Sequence, residues 1–285
     1  MSGWVQPSRQ TLTPASLWME ASGMSIRAET SETGVLNLTF DRPEKKNAFT
    51  LAMYEALVEH LDAAARDDRV RVVALRGAGS AFSAGNDLFD FMSAPPSSPS
   101  ESAVIRFLLA LVDFEKPILA GVRGPAVGVG TTLLLHCDAV YAAPSSRFSM
   151  PFVALGLVPE GGSSLLLPRL AGLQKASEWL MFAEPFDADQ AQQAGLVNQV
   201  VPEADLDDHL SERADTLAQK PRGAVADAKN LLRGPHRPQV REAILREAER
   251  FLERLSSPEA QEAFTAFFEK RPPDFRRVEA DMKKR

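Results

Sequence analysis

Two kinds of hydrophobic pattern alternate along this chain. Short apolar runs rich in Val, Leu and Ile are typical of buried strands; they are GVLNLTF (34–40), VRVVALRG (70–77), PILAGVRG (117–124) and AVYAA (139–143). Between them, apolar residues recur at helical spacing in residues 49–68 and 102–114. This alternation predicts an α/β protein in which βα units surround a parallel sheet.

The domain organisation follows from where each pattern dominates. From Ala176 onward the patterns are mainly helical, as in PQVREAILREAERFLERL (238–255). We therefore expect a core with the functional site over residues 24–215 and a C-terminal helical region over 216–285. Residues 1–23 are expected to be a loose extension, because they lack the basic and apolar segments of a signal peptide, and Met24 is an alternative start.

Composition narrows the function classes. The 285 residues are 45% hydrophobic and 25% charged, enough for a large core, and the net charge of −6 argues against a nucleic-acid partner. A lone cysteine, Cys137, and four scattered histidines predict neither a disulfide framework nor a metal site. The sequence contains no apolar span of about 20 residues, so it predicts no membrane-spanning helix. These features favour a cytoplasmic protein.

Two glycine-bearing stretches suggest a site for an anion. AFSAGNDL (81–88) and GPAVGVGTTLLLHCDAVYA (124–142) each follow a predicted strand and open a helix. A helix N-terminus offers unpaired N–H donors and a partial positive charge. We expect the N–H groups of Asn86 and Val129 to form an oxyanion hole, although a capping role for Asn86 and plain turn roles for the glycines are the alternatives.

Four ordered motifs resemble the crotonase, or enoyl-CoA hydratase/isomerase, superfamily over roughly residues 24 to 280. They are DRPEKKNAF (41–49), AFSAGNDL, KPILAGVRGPAVGVG (116–130) and FFEKRPPDF (267–275). The resemblance implies a spiral of repeated ββα units with a helical C-terminal region. It also implies an acyl-CoA thioester substrate and no cofactor beyond the coenzyme A of that substrate. The expected assembly is a homotrimer or dimer of trimers, in which the helical region over residues 216–285 packs against a neighbouring subunit.

The resemblance also implies substrate contacts at particular positions. Substrate or coenzyme A would meet Ala84, Asp87, Leu88 and Gly128, while Lys45, Lys46 and Lys116 are candidates for its phosphates, with solvated surface lysine as the alternative. Hydratases of this family use two glutamates. This chain has Thr132 at the first of those places and Phe152 at or beside the second. We therefore expect both residues to contact substrate and to tolerate substitution better than a catalytic acid.

One carboxylate remains, Glu160 in GLVPEGGSS (156–164). That stretch, together with GND in the first motif, resembles the peroxisomal-type Δ3,Δ2-enoyl-CoA isomerases, in which a single glutamate acts in this segment. Apolar neighbours should raise the pKa of Glu160 toward neutrality; they are Phe152, Val153, Leu155, Leu157 and Val158. The alternative role for Glu160 is an ordinary acid in the first turn of a helix.

An acyl-CoA double-bond isomerase is therefore the function that the sequence favours. Another enzyme of the superfamily, a hydratase or thioester hydrolase, is the first alternative. A non-catalytic acyl-CoA-binding protein is the second. The Pro- and Ser-rich stretch APPSSPSES (94–102) is either a lid over the acyl chain or a plain surface loop.

Overall fold

The computed structural model describes residues 25–93 and 98–283. The expected N-terminal extension over residues 1–23 lies outside the described residues, as do Met24 and residues 94–97 of the Pro- and Ser-rich stretch.

The main sheet has six strands in the order β1-β2-β3-β4-β6-β9. Its first two strands are antiparallel and its other pairs are parallel, so the predicted parallel sheet is confirmed. The strands of this sheet are β1 (Ile26–Thr30), β2 (Val35–Phe40), β3 (Val72–Gly77), β4 (Ile118–Val122), β6 (Ala139–Ala142) and β9 (Gln199–Val200). All four predicted strands are present, whereas β1 and β9 were not predicted.

A smaller sheet of three strands follows the C-terminal end of β4. Its strands are β5 (Pro125–Val127), β7 (Arg147–Ser149) and β8 (Phe186–Asp187), paired in the order β5-β7-β8. The chain passes from β4 to β5 at Gly124, which has a φ of 61°. A Cβ there would lie 2.0 Å from the carbonyl oxygen of Ser80, so the backbones approach more closely than any side chain allows.

Twelve α-helices surround the sheets in the described part of the chain. The predicted helices correspond to α1 (Leu51–Arg66) and α3 (Ala103–Asp113). The others are α2 (Leu88–Ser93), α4 (Val129–Thr132), α5 (Ser163–Ala171), α6 (Leu173–Ser177), α7 (Ala188–Gln193), α8 (Leu206–Ala218), α9 (Arg222–Arg233), α10 (Arg237–Leu255), α11 (Pro258–Phe268) and α12 (Phe275–Met282). None of the helices in this part of the chain is both long and apolar enough to span a membrane.

Alternate residues of the central strands bury their side chains on opposite faces of the main sheet, as strand geometry requires. Leu38 and Leu75 belong to the larger core, which packs against α1 and α3. Val72 and Ala74 belong to the smaller core on the other face, which α8 covers through Leu210. Both faces of the sheet are therefore buried, which explains the continuous apolar runs in the sequence.

The C-terminal helical region packs on its own chain. Helix α10 contacts α3 and α5, and α11 contacts the 3-10 turn Val153–Leu155. Helices α10 and α11 therefore complete the core of the same chain. The expected role of residues 216–285 in oligomerisation stays a prediction.

Candidate active site

The first glycine-bearing loop leaves the N–H of Asn86 without a protein acceptor among the described residues. Phe49 N donates to Gly85 O at 2.7 Å, and Asp87 N donates to Phe49 O at 2.8 Å. Phe49 and Asn86 thus form a parallel bridge, in which Phe49 bonds to the residues on either side of Asn86. The N–H of Asn86 therefore points away from Phe49. The backbone amide of Asn86 is therefore available to a ligand, as an oxyanion donor must be.

The second loop lies directly against the first. Gly128, with a φ of 55°, is the N-cap of α4, so Val129 is the first residue of that helix and its N–H has no intrahelical acceptor. A Cβ on Gly85 would lie 2.7 Å from Val127 O and 3.9 Å from the Cα of Gly128. The two turns are thus neighbours, and convergence of the Asn86 and Val129 amides on one oxygen remains a prediction.

The side chain of Glu160 is buried beside these turns, with 6% of its surface exposed. Thr132 Oγ1 donates a hydrogen bond to Glu160 Oε1. Glu160 Oε2 is buried and has no hydrogen-bond partner among the described residues. Burial raises the pKa of Glu160 to about 8, the Thr132 hydrogen bond lowers it, and the charge of Glu247 raises it. A carboxyl group with this pKa can accept and return a proton near neutral pH.

Glu160 and Asn86 line one cavity whose remaining wall is mostly apolar. The other lining residues come from α3, from α10 and from the turn before α3; they are Pro99, Ser102, Val104, Ile105, Ala248, Phe251 and Leu252. Residues 98–102 of the predicted lid or surface loop therefore contribute to this wall. The cavity offers a carboxyl group at an apolar surface, which suits an acyl chain with a reactive carbon beside Glu160.

The apolar surroundings of Glu160 differ from those the sequence suggested. We expected its own neighbours along the chain to enclose it, but Val153 is 42% exposed. Residues of α3 and α10 line the cavity beside Glu160, so helices distant in sequence add to the apolar surroundings that the sequence suggested. Phe152 is buried, lies 3.9 Å from a Cβ built on Gly128, and packs edge-to-face on Phe251 at 6.5 Å.

Sequence reasoning missed two polar residues at the site. Tyr54 is buried in α1 and its hydroxyl donates to Asn86 Oδ1. Burial raises the pKa of Tyr54, and the charge of Glu160 raises it further. The second residue, Glu247 of α10, holds the turn after Glu160 through Gly162. No local motif marks either residue, because each reaches the site through a long-range contact.

The other residues expected in the first loop have structural contacts of their own. Asp87 Oδ2 accepts from Arg42 Nη1 at 2.7 Å. Burial raises the pKa of Asp87, but the hydrogen bond and charge of Arg42, together with the backbone amides of Asp90 and Phe89, hold that pKa below its usual value. Ala84 N donates to Lys46 O at 2.8 Å, and Leu88 is the first residue of α2. These contacts fix the loop that presents Asn86.

The candidate lysines lie in two different places. Lys45 and Lys46 are exposed on the turn that pairs with the first loop, so they remain candidates for contacts with phosphates. Lys116 precedes β4, at the opposite end of the sheet from Gly128. Its ammonium donates to Asp67 O at 2.8 Å and also to Ala64 O, so it closes the end of α1 and the structure separates it from the site.

Comparisons with known proteins identify the family of this chain. The sequence profile of the family described as Enoyl-CoA hydratase/isomerase matches residues 30–278. Enoyl-CoA delta isomerase 2 of Rattus norvegicus is 36% identical over 258 residues, which are 89% of this chain and 65% of that protein. The chain thus spans slightly less than two thirds of the length of that relative.

Two further relatives match almost over their full length. The 1,2-epoxyphenylacetyl-CoA isomerase of Escherichia coli (strain K12) is 36% identical, over 86% of this chain and 95% of that protein. The crystal structure of an enoyl-CoA hydratase/isomerase from Pseudoalteromonas atlantica has a TM-score of 0.83 at 42% identity, covering 88% of this chain and 99% of that one. The chain therefore belongs to the enoyl-CoA hydratase/isomerase family, that is, to the crotonase superfamily.

Proposed function

We propose that this protein is an acyl-CoA double-bond isomerase that converts 3-enoyl-CoA to 2-enoyl-CoA. Its family acts on acyl-CoA thioesters. The observation that carries the proposal is Glu160, a buried carboxyl group with a raised pKa in an otherwise mostly apolar cavity. Coenzyme A enters as part of the substrate, and the reaction proposed here needs no other cofactor.

The reaction needs one group that takes a proton and returns it. Ionised Glu160 removes the proton from C2 of the substrate, and the electron pair of that C–H bond moves toward the thioester, giving a dienolate. Protonated Glu160 then delivers the proton to C4, and the double bond comes to lie between C2 and C3. Atoms and charge balance, and Glu160 returns to its ionised form.

The negative charge of the dienolate develops on the thioester oxygen. In this proposal the amides of Asn86 and Val129 donate to that oxygen. Loss of one such donor typically costs about 2.7 to 4 kcal/mol of transition-state stabilisation. Because both donors belong to backbone turns that pack on each other, they need little reorganisation as the charge forms.

The buried carboxylates argue against hydration as the main reaction. The hydratases that the sequence resembles act on water with two glutamates, and the resemblance implies that their places here hold Thr132 and either Phe152 or its immediate neighbour. Glu247 is a second buried carboxylate near Glu160, but its oxygens accept hydrogen bonds from Gly162 N and Ser164 N. One carboxyl group facing the cavity suits proton transfer between carbons better than activation of water.

Turnover of 3-enoyl-CoA and 2-enoyl-CoA by the purified protein tests the proposal. We expect isomerisation of 3-enoyl-CoA to exceed hydration of 2-enoyl-CoA. Glu160→Gln should keep acyl-CoA binding but lose most isomerase turnover, because an amide cannot accept the C2 proton. Glu184→Gln, which changes an exposed carboxylate, is the matched control and should behave like the parent protein.

Preferential hydration of 2-enoyl-CoA by the parent protein would replace the proposal with the hydratase alternative. Turnover of 3-enoyl-CoA by Glu160→Gln at the parental rate would remove Glu160 from the mechanism. Binding of acyl-CoA without turnover of either substrate would favour a binding protein.

A further inference from the structure

The carboxylate of Glu247 connects α10 to the first turn of α5, close to Glu160. Its Oε2 accepts from Gly162 N at 2.6 Å, and its Oε1 accepts from Ser164 N at 2.9 Å. These amides belong to the beginning of α5, where backbone donors lack intrahelical partners and a negative charge is favourable. Glu247 itself is only 6% exposed.

The same turn is held from the other side by residues of the second glycine-bearing motif. His136 Nε2 lies 2.8 Å from Gly161 O, and since a carbonyl oxygen only accepts, this nitrogen carries the hydrogen. Burial lowers the pKa of His136 to about 4, so its ring is neutral. Thr132 meanwhile donates to the side chain of Glu160. The turn is thus fixed between the core and α10.

We propose that Glu247 is a positioning residue for Glu160 that acts through the turn formed by residues 161–164. The inference rests on the proposed function, in which Glu160 carries the proton. It assigns to α10 a role beyond lining the cavity, because the same helix fixes the backbone from which the reacting carboxyl group extends.

The charge of Glu247 also acts on Glu160. Burial raises the pKa of Glu247, whereas its bonds to Ser164 and Gly162 and the charge of Arg246 lower it. Two oxygens that accept from backbone amides favour the ionised form. A negative charge at this place favours protonated Glu160 and raises its pKa. The other titratable groups on this side are Tyr54, whose pKa burial raises, and neutral His136.

Two variants separate the anchoring of the turn from the charge. Glu247→Gln keeps the length of the side chain but removes the charge and turns an NH2 group toward one amide donor. We expect kcat for 3-enoyl-CoA to fall by about tenfold, since displacement of a reacting group by about 1 Å can cost a hundredfold. The acid limb of its pH profile should move to lower pH, because ionised Glu160 no longer faces a like charge.

Glu247→Asp keeps the charge but is one methylene shorter, so it cannot reach both amides. We expect a similar fall in kcat with the acid limb unmoved and KM close to the parental value. Glu249→Gln, an exposed position on the same helix, is the matched control and should change neither quantity. A thermal melt of each variant identifies any that is unfolded at the assay temperature, and if Glu247→Gln is unfolded, Glu247→Asp decides.

Parental kcat and an unmoved acid limb in a folded Glu247→Gln would overturn the inference, as would parental kcat in Glu247→Asp. If the parent protein fails to turn over 3-enoyl-CoA, the proposed function is wrong, and titration of the infrared carboxyl band that Glu160→Gln removes still tests Glu247. A lower titration pH of that band in Glu247→Gln supports the inference, and the same pH in parent and variant rejects it.

Discussion

The hydroxyl of Thr132 donates a hydrogen bond to the carboxylate of Glu160. The sequence resemblance implies that Thr132 stands where hydratases of the superfamily carry a glutamate, and in this chain its hydroxyl binds a carboxylate of another loop. A Cβ built on Gly161 would lie 3.0 Å from Thr132 Oγ1, so the residue also packs against the turn. Our expectation that Thr132 tolerates substitution better than Glu160 stays a prediction, but this contact implies that its loss has a cost of its own.

Removal of the Thr132 hydroxyl should impair turnover while preserving packing. Thr132→Val has nearly the same shape but cannot donate, so Glu160 loses the bond that orients it. We expect kcat to fall by about tenfold and, because that bond lowers the pKa of Glu160, the acid limb of the pH profile to move to higher pH. Thr132→Ser retains the hydroxyl and should stay near the parental rate. Equal rates for the Val and Ser variants would contradict this.

The pH dependence of kcat/KM should report the ionisation of Glu160. The proposed base is active when ionised, and burial raises its pKa to about 8, so kcat/KM should rise with pH and level off above that value. Initial rates with 3-enoyl-CoA across this range measure the limb. An acid limb near the ordinary glutamate pKa of 4.5 would show that Glu160 is not the group that titrates.

Glu160→Gln should be more stable than the parent protein at alkaline pH. The folded-state pKa is raised above the unfolded value, so between 4.5 and about 8 the folded state holds a proton that the unfolded state has lost. The free energy of unfolding then falls as pH rises through this window, and the neutral amide avoids the loss. Urea denaturation at about pH 6 and about pH 9 measures the difference. If the free energies of unfolding of variant and parent differ by the same amount at both pH values, the prediction is wrong.

The apolar wall contributed by α10 should set the length of acyl chain that fits. Ala248→Leu adds volume beside Phe251, so we expect kcat/KM for long-chain 3-enoyl-CoA to fall by about tenfold and that for a short-chain substrate to change little. Leu245→Phe enlarges a partly exposed residue of the same helix and serves as the control. Equal losses on both chain lengths would place the acyl chain elsewhere.

The protein should self-associate as a trimer or dimer of trimers. Leu231 and Leu232 on α9 are 78% and 75% exposed. Two adjacent exposed leucines form an apolar surface that a second subunit would cover. Static light scattering at micromolar concentration measures the mass. A strict monomer would reject the prediction. Homo-oligomers usually close by point-group symmetry, and a trimer or a dimer of trimers is such an assembly.

Strands with long apolar runs and helices with clear periodicity were predictable from the sequence. The residues of VVAL in β3 alternate between the two cores of the sheet. Helix α1 begins at a cap in which the Thr50 side chain accepts from Met53 N at 3.3 Å. Strands β8 and β9 have two residues each, too few for any periodicity to show. Their pairing is decided by neighbours distant in sequence.

Only the site residues that belong to local sequence motifs could be predicted. Glu160 and the turns at Asn86 and Val129 belong to local sequence patterns, and the structure places them close together. Glu247 is separated from its partners Gly162 and Ser164 by more than 80 positions. Glu247 shares the buried face of α10 with Val240 and Ile244, but its residue type alone predicts a solvated side chain. The packing of α10 on α5 shows instead that it is a buried partner of the turn.

The position of α10 late in the chain has a consequence for synthesis on the ribosome. Domains form from the N-terminus as the chain emerges, so Glu160 and α3 are made well before the helix that encloses them. Until α10 arrives, a nascent chain exposes the apolar side of the cavity and leaves the first amides of α5 to water. Enclosure of Glu160 therefore waits for the synthesis of α10, and a translation product that stops before this helix should hold the strands but leave the cavity open on that side.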